Sequence, residues 1–286
     1  MILIADSGST RTQWAAIKHD GNRIKDFLTQ GFNPNLVSSL QIIHELNQVD
    51  AVNEIKHEVK QVFFYGSGCA DAVLNNIISS ALKTIFVDAE VNVQNDLYGA
   101  VYATTPNAPG IVCVIGTGSN SCYFDGKNIT HDDYSLGFIL GDEGSGSYLG
   151  KKLLRDYFYG KLPYVLEDQF EKEYHLVKRQ VIEQVYRLPR PNLFLASFSE
   201  FILKNVGHEY IRKMIADGFQ EFVESFICRF EDYKNIPVHF VGAVAYYFSD
   251  ILIEVVEKND IQAHQILKTP IDELVNYHLE KIKQSA

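Results

Sequence analysis

One sequence device occurs twice in this chain of 286 residues, and it restricts the fold more than any other feature. An apolar run enters a short loop of glycine and hydroxyl residues, a second run leaves the loop, and an Asp-Gly pair follows. The copies cover residues 2–21 and 112–126, and Gly8 of the first loop corresponds to Gly118 of the second, 110 residues later. Each copy predicts a β-hairpin, so the chain is expected to consist of two related halves.

The chemistry of the two loops suits phosphate. Glycine lets the backbone approach a phosphate and direct N–H groups at it, and the hydroxyls of Ser9, Thr10, Thr117 and Ser119 add donors. In Rossmann and P-loop sites the glycine loop opens a helix, whereas here a strand follows. Two ordinary turns in a duplicated fold are the alternative interpretation. One such loop would favour that alternative, but two matched loops favour a pair that closes on one nucleotide.

Composition limits the class of protein. The net charge of −10 argues against sequence-independent binding of nucleic acid, which requires a clustered basic surface. Hydrophobic residues make up 46% and charged residues 22%, as in an ordinary globular chain. The length predicts about two domains. We place them at residues 1–108 and 109–270, joined near Pro106 and Pro109, with a helix at about 271–286 as a candidate to pack back on the first.

Membrane and metal-binding classes are also disfavoured. No run approaches the ~18 apolar residues of a membrane span, and the apolar start that meets Asp6 indicates a buried strand rather than a signal peptide. The nine histidines are dispersed, so no zinc site is predicted. The few cysteines contain no C-x-x-C pair and predict reduced thiols in a cytoplasmic protein. They are Cys69, Cys113, Cys122 and Cys228.

Alternating strand and helix patterns predict an α/β protein, with two further strand-to-helix junctions between the loops. The strand at 62–65 runs into residues 66–71, whose glycines we interpret as structural. A second strand, at 86–93, leads to a helix that begins near Asp96. Asp96 has two equally supported interpretations: a helix cap, for which Asp is preferred, or an ionised general base at the strand ends.

The C-terminal half holds one unusual segment. Four glycines flank the adjacent carboxylates Asp142 and Glu143 within residues 136–147, which suits a ligand hydroxyl or a Mg²⁺ held through water. A solvated acidic turn that caps the next helix is the less favoured alternative. Apolar residues at helical spacing over 211–230 predict core rather than a cofactor site. A strand at 237–241 then reaches Gly242, and a helix follows through residue 257.

These segments occur in the order of a known family. They resemble the phosphate, connecting and adenosine motifs of the superfamily that includes actin, heat-shock chaperones and sugar kinases. More closely, the chain resembles the BadF/BadG family and N-acetylglucosamine kinases of that type, from residue 2 to about residue 248. The segments that carry the resemblance are residues 6–10, 95–96, 116–120, 141–145 and 241–244.

The resemblance implies two ribonuclease-H-like domains with ATP, Mg²⁺ and a sugar in the cleft between them. It implies phosphorylation of an amino sugar, N-acetylglucosamine at its 6-hydroxyl, with Asp96 as the catalytic base and Asp6 near the Mg²⁺. For the nucleotide it implies Gly8, Ser9, Thr10, Arg11, Thr117, Gly118, Ser119, Gly242 and Ala243. For the sugar it implies Asn33 (with Asn35 as the alternative), Asp96, Asn120, Asp142 and Glu143.

Two other functions stay open at this point. One is an ATPase activator of a radical enzyme, whose relatives share an iron–sulfur cluster across a dimer; no cysteine pair here presents such a site. The other is a module that senses nucleotide or sugar without catalysis. The sequence leaves open whether the sugar is N-acetylglucosamine, glucosamine, N-acetylmannosamine or another hexose. It also leaves the oligomeric state open, with a homodimer as what the resemblance implies.

Overall fold

The structure is a computed structural model that describes residues 1–130 and 134–285. Among these residues, no helix is both long and apolar enough to cross a membrane. The chain divides into two compact units. The first consists of Met1–Ala108, Phe124–Ile129 and Thr269–Ala286, and the second of Pro109–Tyr123 and Thr130–Lys268.

Two five-stranded sheets form the framework. The strands are β1 (Ile2–Ser7), β2 (Arg11–Ile17), β3 (Arg23–Gln30), β4 (Gln61–Gly66), β5 (Glu90–Asn95), β6 (Gly110–Ile115), β7 (Ser119–Phe124), β8 (Ile129–Thr130), β9 (Val238–Val241) and β10 (Ala263–Leu267). The first sheet has the order β3-β2-β1-β4-β5 and the second the order β10-β9-β6-β7-β8. In the first, β1 is antiparallel to β2 and parallel to β4, which is parallel to β5.

Helices fill most of the connections. They are α1 (Ser39–Asn47), α2 (Asp50–Ile55), α3 (Ala72–Ile85), α4 (Asp96–Thr104), α5 (Gly137–Leu140), α6 (Gly146–Phe158), α7 (Tyr164–Tyr174), α8 (Lys178–Tyr186), α9 (Pro191–Ala196), α10 (Ser199–Lys204), α11 (Glu209–Phe226), α12 (Ala243–Tyr247), α13 (Ser249–Lys258) and α14 (Ile271–Ser285), with a 3₁₀ turn at Tyr233–Asn235. Both predicted hairpins are present, since β1–β2 and β6–β7 are neighbours joined by three-residue loops.

The first sheet is covered on both faces. On one face Leu3, Trp14 and Phe64 are fully buried in a core shared with α1 and α3. On the other face α4 and α14 pack on each other and on the strands. The Tyr65 hydroxyl and the His278 ring nitrogen Nε2 are hydrogen-bonded at 2.9 Å there, so α14 is fixed to β4. Alternation along each strand thus directs successive side chains to different helix layers.

The core of the second unit is built largely on α11. The predicted helical stripe is confirmed, because the apolar side chains of α11 are buried against α6, α13 and the second sheet. Large aromatic rings, among them Phe219, Phe222 and Phe240, fill this core with almost no exposed area. The prediction of a core rather than a cofactor site therefore holds for these residues.

Two predicted boundaries are wrong. The strand predicted at 86–93 begins only at Glu90, because Phe86 still donates its N–H to the Leu82 carbonyl and closes α3 with its ring buried. The helix predicted to run through residue 257 is interrupted at Phe248, whose backbone leaves helical geometry (φ −112°, ψ 27°) while its ring is buried. In both places a helix ends at a phenylalanine whose ring is buried.

Candidate functional site

The register of the first sheet brings three chain segments to one edge. Ser7, Gly66 and Asn95 are paired across the parallel strands β1, β4 and β5 and form one row at their carboxyl ends. Each is the last residue of its strand. The loop after β1, the loop after β4 and the first residue of α4 therefore start side by side. This edge holds the first glycine loop and Asp96, as expected for a ligand site at the carboxyl ends of strands.

The first glycine loop, residues 8–10, rests on backbone alone at its base. The Gly8 N–H donates to the Arg11 carbonyl at 3.1 Å, and the Gly31 N–H donates to the Thr10 carbonyl at 3.0 Å. A Cβ on Gly31 would lie 2.5 Å from the backbone of Ser9, so only glycine fits behind the loop. The tip remains open, because Gly8, Thr10 and Arg11 are exposed.

A chain of side-chain hydrogen bonds links this loop to Asn33. The hydroxyl oxygens of Ser9 and Ser67 are 3.2 Å apart, and the Asn33 amide nitrogen donates to the Ser67 hydroxyl at 3.2 Å. Gly68 has φ +80°, and a Cβ there would crowd the Asn33 side chain. Asn33 is half-buried and joined to the loop, whereas Asn35 is exposed. Ser67 has no role in the sequence prediction; its signal is a hydroxyl between two glycines at a strand end.

Asp96 is the first residue of α4, as predicted, but it is not the cap. The side chain of Asn95 takes that role and accepts from the Leu97 N–H at 2.9 Å. One turn later, a Cβ on Gly99 would lie 2.9 Å from the Tyr65 side chain, so α4 lies close to β4 and holds Asp96 at the strand ends. The capping interpretation therefore applies to Asn95, whose side chain is the N-cap of α4.

Both carboxylates of this edge have raised pKa values. Burial raises the pKa of Asp96 to about 6, although the backbone N–H groups at the start of α4 lower it. Burial and the negative charge of Asp96 raise the pKa of Asp6 to about 7. Both shifts mean that two negative charges are held here at a cost, which a bound cation would offset.

The donor set at this edge fits Mg²⁺. In proteins Mg²⁺ takes one or two carboxylates and keeps several waters, and no cluster of three or more His, Cys, Asp or Glu lies within the described residues. Gln13 is directly opposite Asp6 on β2, and its Oε1 atom is buried without a hydrogen-bond partner in the described structure. A water on a cation held by Asp6 would supply the donor that this oxygen requires.

The second glycine loop, residues 116–118, is supported by a helix. The Gly116 N–H donates to the Gly118 carbonyl at 2.9 Å. The first two residues of α6, Gly146 and Ser147, donate their N–H groups to the carbonyls of Gly116 and Thr117 at 2.8 and 3.0 Å. The unpaired donors of this helix terminus thus bind the carbonyls of the loop and fix its backbone.

Asp142 lies directly behind this loop. It is 7% exposed and adopts the left-handed conformation at φ 58°. Its Oδ1 accepts from the Ser119 N–H at 3.3 Å and from the Ser135 hydroxyl at 3.2 Å, and a Cβ on Gly118 would lie 2.8 Å from its Oδ2. Burial raises the pKa of Asp142, against these two hydrogen bonds. The N-cap of α6 is Ser145. The alternative interpretation of Asp142, a solvated acidic turn that caps this helix, is therefore wrong.

The remaining candidates of the second unit surround the same loop. The Glu143 carbonyl accepts from the Ser119 hydroxyl at 2.8 Å, and Asn120 follows on β7, where its Oδ1 accepts from the Ser121 N–H at 2.9 Å. Gly242 has φ +126°, and a Cβ there would lie 2.7 Å from the carbonyl carbon of Ile115. The junction of Gly242 and Ala243 with α12 therefore lies against the base of the loop.

The candidate residues thus form one group in each unit. In the first unit the structure brings together Asp6, Gly8, Ser9, Thr10, Arg11, Asn33 and Asp96, with Gln13 and Ser67 added. In the second it brings together Thr117, Gly118, Ser119, Asn120, Asp142, Glu143, Gly242 and Ala243. Each group combines a glycine loop with a carboxylate whose pKa is raised.

Solved structures match the chain over nearly its full length. A candidate N-acetylglucosamine kinase from Porphyromonas gingivalis is 35% identical, with a TM-score of 0.91 and coverage of 98% of this chain and 99% of that one. A candidate N-acetylglucosamine kinase from Chromobacterium violaceum is 15% identical, with a TM-score of 0.60 and coverage of 96% and 98%. A ROK-family glucokinase from Streptomyces griseus, in complex with glucose and AMPPNP, is 12% identical, with a TM-score of 0.56 and coverage of 99% of each chain.

The two more distant matches show the fold alone. They confirm the predicted α/β class with two actin-like domains of the ribonuclease-H type. A comparison of the sequence with protein-family models gave no match, and a comparison with curated proteins gave none. The identity of 35% to the Porphyromonas protein extends over nearly all of both chains, and the chain therefore belongs to the same family, within the superfamily of actin-like sugar kinases.

Proposed function

We propose that the chain is an ATP-dependent sugar kinase that transfers the γ-phosphoryl group to the 6-hydroxyl of N-acetylglucosamine. The observation that carries this proposal is Asp96. Its carboxylate stands at the carboxyl ends of the strands beside the first glycine loop, its neighbour Asn95 performs the capping, and its pKa is about 6. A carboxylate in that position and with that pKa suits a general base.

Asp96 accepts the proton of the sugar hydroxyl as that oxygen attacks the γ-phosphorus. Phosphoryl transfer requires little covalent work from the protein, so alignment and neutralisation of charge supply most of the catalysis. Because a base is most effective when its pKa lies near the working pH, the shift of Asp96 by burial is useful.

The nucleotide is bound mainly by backbone donors. Backbone N–H groups of the exposed first loop and the hydroxyls of Ser9 and Thr10 bind phosphate there. Thr117 and Gly118 do so in the second loop, where Ser119 is held in place by Asp142 and the Glu143 carbonyl. Gly242 and Ala243 receive the adenosine. Asp6 would hold Mg²⁺ through water, and the Gln13 Oε1 would accept a hydrogen bond from such a water. A Mg²⁺ ion held there would supply positive charge against the phosphates during transfer.

Asn33, Asn120, Asp142 and Glu143 bind the sugar hydroxyls. The amino-sugar assignment is supported by the Porphyromonas relative, itself a candidate N-acetylglucosamine kinase, and by the resemblance of residues 141–145 to the BadF/BadG type. Asn33 is favoured over Asn35 because its amide is half-buried and joined to the first loop through Ser67.

The test is ADP release from MgATP in the presence of single sugars. We expect turnover with N-acetylglucosamine that exceeds turnover with N-acetylmannosamine, glucosamine and glucose, and no turnover without sugar. Detection of the 6-phosphate by mass spectrometry and NMR fixes the position of transfer. ADP release that does not depend on sugar would contradict the kinase and favour an ATPase activator, and nucleotide binding without any turnover would favour a sensing module.

A further inference from the structure

The hydrogen bonds around Ser67 have a fixed direction at one end. The Asn33 Oδ1 accepts from the Asn35 backbone N–H at 3.0 Å and from the Asn35 side-chain amide at 3.2 Å. A backbone N–H is only a donor, so it fixes which atom of the Asn33 amide is the oxygen. The Asn33 amide nitrogen therefore points toward Ser67, and the Ser67 hydroxyl oxygen must accept from it at 3.2 Å.

The direction continues along the chain to the first glycine loop. A serine hydroxyl has one hydrogen and two acceptor positions. With one acceptor position taken by Asn33, Ser67 can donate its hydrogen to the Ser9 oxygen, 3.2 Å away. Ser9 then accepts from Ser67, and its own hydrogen is left to donate at the tip of the loop. Successive bonds in one direction polarise and strengthen each other.

The backbone holds Ser67 in place for this task. Its N–H donates to the Ser7 carbonyl at 2.8 Å, which continues the pairing of β1 with β4 beyond the last strand residue. Gly68, with φ +80°, lets the Asn33 side chain approach the turn without a Cβ between them. Ser67 is thus fixed relative to both of its partners by main-chain geometry.

We propose that Ser67 is a positioning residue, which accepts from Asn33, donates to Ser9, and thereby directs the Ser9 hydroxyl hydrogen to a phosphate oxygen of the bound nucleotide. This inference rests on the proposed function in so far as the first loop binds the nucleotide phosphates. In this role Ser67 acts through Ser9 and touches neither nucleotide nor sugar. The orientation of the Asn33 side-chain amide then affects nucleotide binding as well.

The test is a double-mutant cycle on nucleotide affinity, measured by calorimetry with the Mg²⁺ complex of AMPPNP and no sugar. A hydrogen bond from a neutral donor to a charged group predicts a loss of about 10-fold for Ser9→Ala. Ser67→Ala should lose about 3- to 10-fold alone and nothing further in the Ser9→Ala background. Ser67→Thr, which keeps the hydroxyl, should restore most of the affinity. Ser80→Ala, at an exposed serine of α3, is the control that should bind like the parent chain.

A second pair of variants tests the direction of the bonds without removing Ser67. Asn33→Asp turns the donor at Ser67 into an acceptor, draws the Ser67 hydrogen away from Ser9, and should weaken binding more than Asn35→Asp, which adds the same charge nearby. Additive losses in the cycle, or equal losses for the two Asp variants, would overturn the inference.

Sugar-dependent turnover of the parent chain is measured separately. If it is absent while the cycle is non-additive, the kinase fails and Ser67 keeps its role; a parent chain that binds no nucleotide would overturn both.

Discussion

The two glycine loops share a sequence pattern but are held in different ways. The loop at 8–10 is backed by the Gly31 backbone and by side-chain hydroxyls from the loop after β4. The loop at 116–118 is backed by the first N–H groups of α6. The first support depends on particular side chains, and the second on a helix terminus that most substitutions leave intact. A duplicated motif therefore fixes the hairpin, while the surrounding elements decide how sensitive it is to mutation.

The carboxylates beside the loops differ as well. Asp96 lies at a helix start with its cap supplied by Asn95, whereas Asp142 is enclosed and accepts hydrogen bonds from Ser119 and Ser135. An enclosed carboxylate held by two protein donors is suited to orienting a ligand, whereas a carboxylate at a helix start, whose pKa burial raises to about 6, is suited to accepting a proton. The largest expected effect follows from this difference.

Asp96→Asn should lower kcat by at least about 10²-fold with little change in the affinity for sugar, because the base is lost and the shape is kept. Asp142→Asn, the matched substitution in the other unit, should raise KM for the sugar more than it lowers kcat. Both are measured by steady-state ADP release, with folding checked by circular dichroism. Near-normal turnover of folded Asp96→Asn would contradict the assignment of the base, and an equal loss of kcat in the two variants would remove the distinction between the carboxylates.

Substitution of one glycine at each loop, Gly31 behind the first and Gly116 at the start of the second, compares the two loops. Gly31→Ala places a Cβ 2.5 Å from the Ser9 backbone and should lower the free energy of unfolding by about 2–3 kcal/mol. Gly116→Ala meets no atom within 4 Å and keeps a negative φ, so it should stay within about 0.5 kcal/mol of the parent chain. Urea unfolding, followed by one spectroscopic probe in each unit, measures the free energy of unfolding of both variants. Equal destabilisation by the two substitutions would show that the loops are held alike.

The pH dependence of turnover distinguishes Asp96 from Asp142 by a smaller change in kcat than the substitutions produce. As the proposed base, Asp96 must be deprotonated to act, and burial raises its pKa to about 6, so kcat should be level above pH 7 and fall about tenfold per pH unit below pH 6. The fall should persist in Asp142→Asn and be lost from the residual activity of Asp96→Asn. A profile that stays level from pH 7 down to pH 5 would contradict this assignment of the pKa.

Local patterns were sufficient to predict the hairpins, the helix that begins at Asp96 and the apolar stripe of α11. They could not decide between Asn95 and Asp96 as the cap, because both residue types cap helices equally well. They also gave no role to Ser67, whose partners Asn33 and Ser9 lie 34 and 58 residues away in the sequence. Contacts of that separation depend on which strands are neighbours, and strand order follows from packing of the whole unit.

The sequence analysis also gave no role to Gln13, because a polar residue in an alternating strand is typical of a solvent-facing position. Its buried Oε1 has no hydrogen-bond partner among the residues that the structure describes. Gln13→Leu therefore removes an unsatisfied acceptor and should leave the free energy of unfolding unchanged or raise it by up to ~1 kcal/mol. The same substitution at Gln220 of the second unit, whose Oε1 accepts from the Asn259 side-chain amide at 2.9 Å, should lower the free energy of unfolding.

The Mg²⁺ requirement gives a second measurement. If Gln13 accepts from a water bound to Mg²⁺, Gln13→Leu should raise about threefold the Mg²⁺ concentration that half-saturates AMPPNP binding, and Gln220→Leu should not. Loss of stability in Gln13→Leu with an unchanged Mg²⁺ requirement would mean that Gln13 is a structural residue of β2, and that the first loop holds its nucleotide without it.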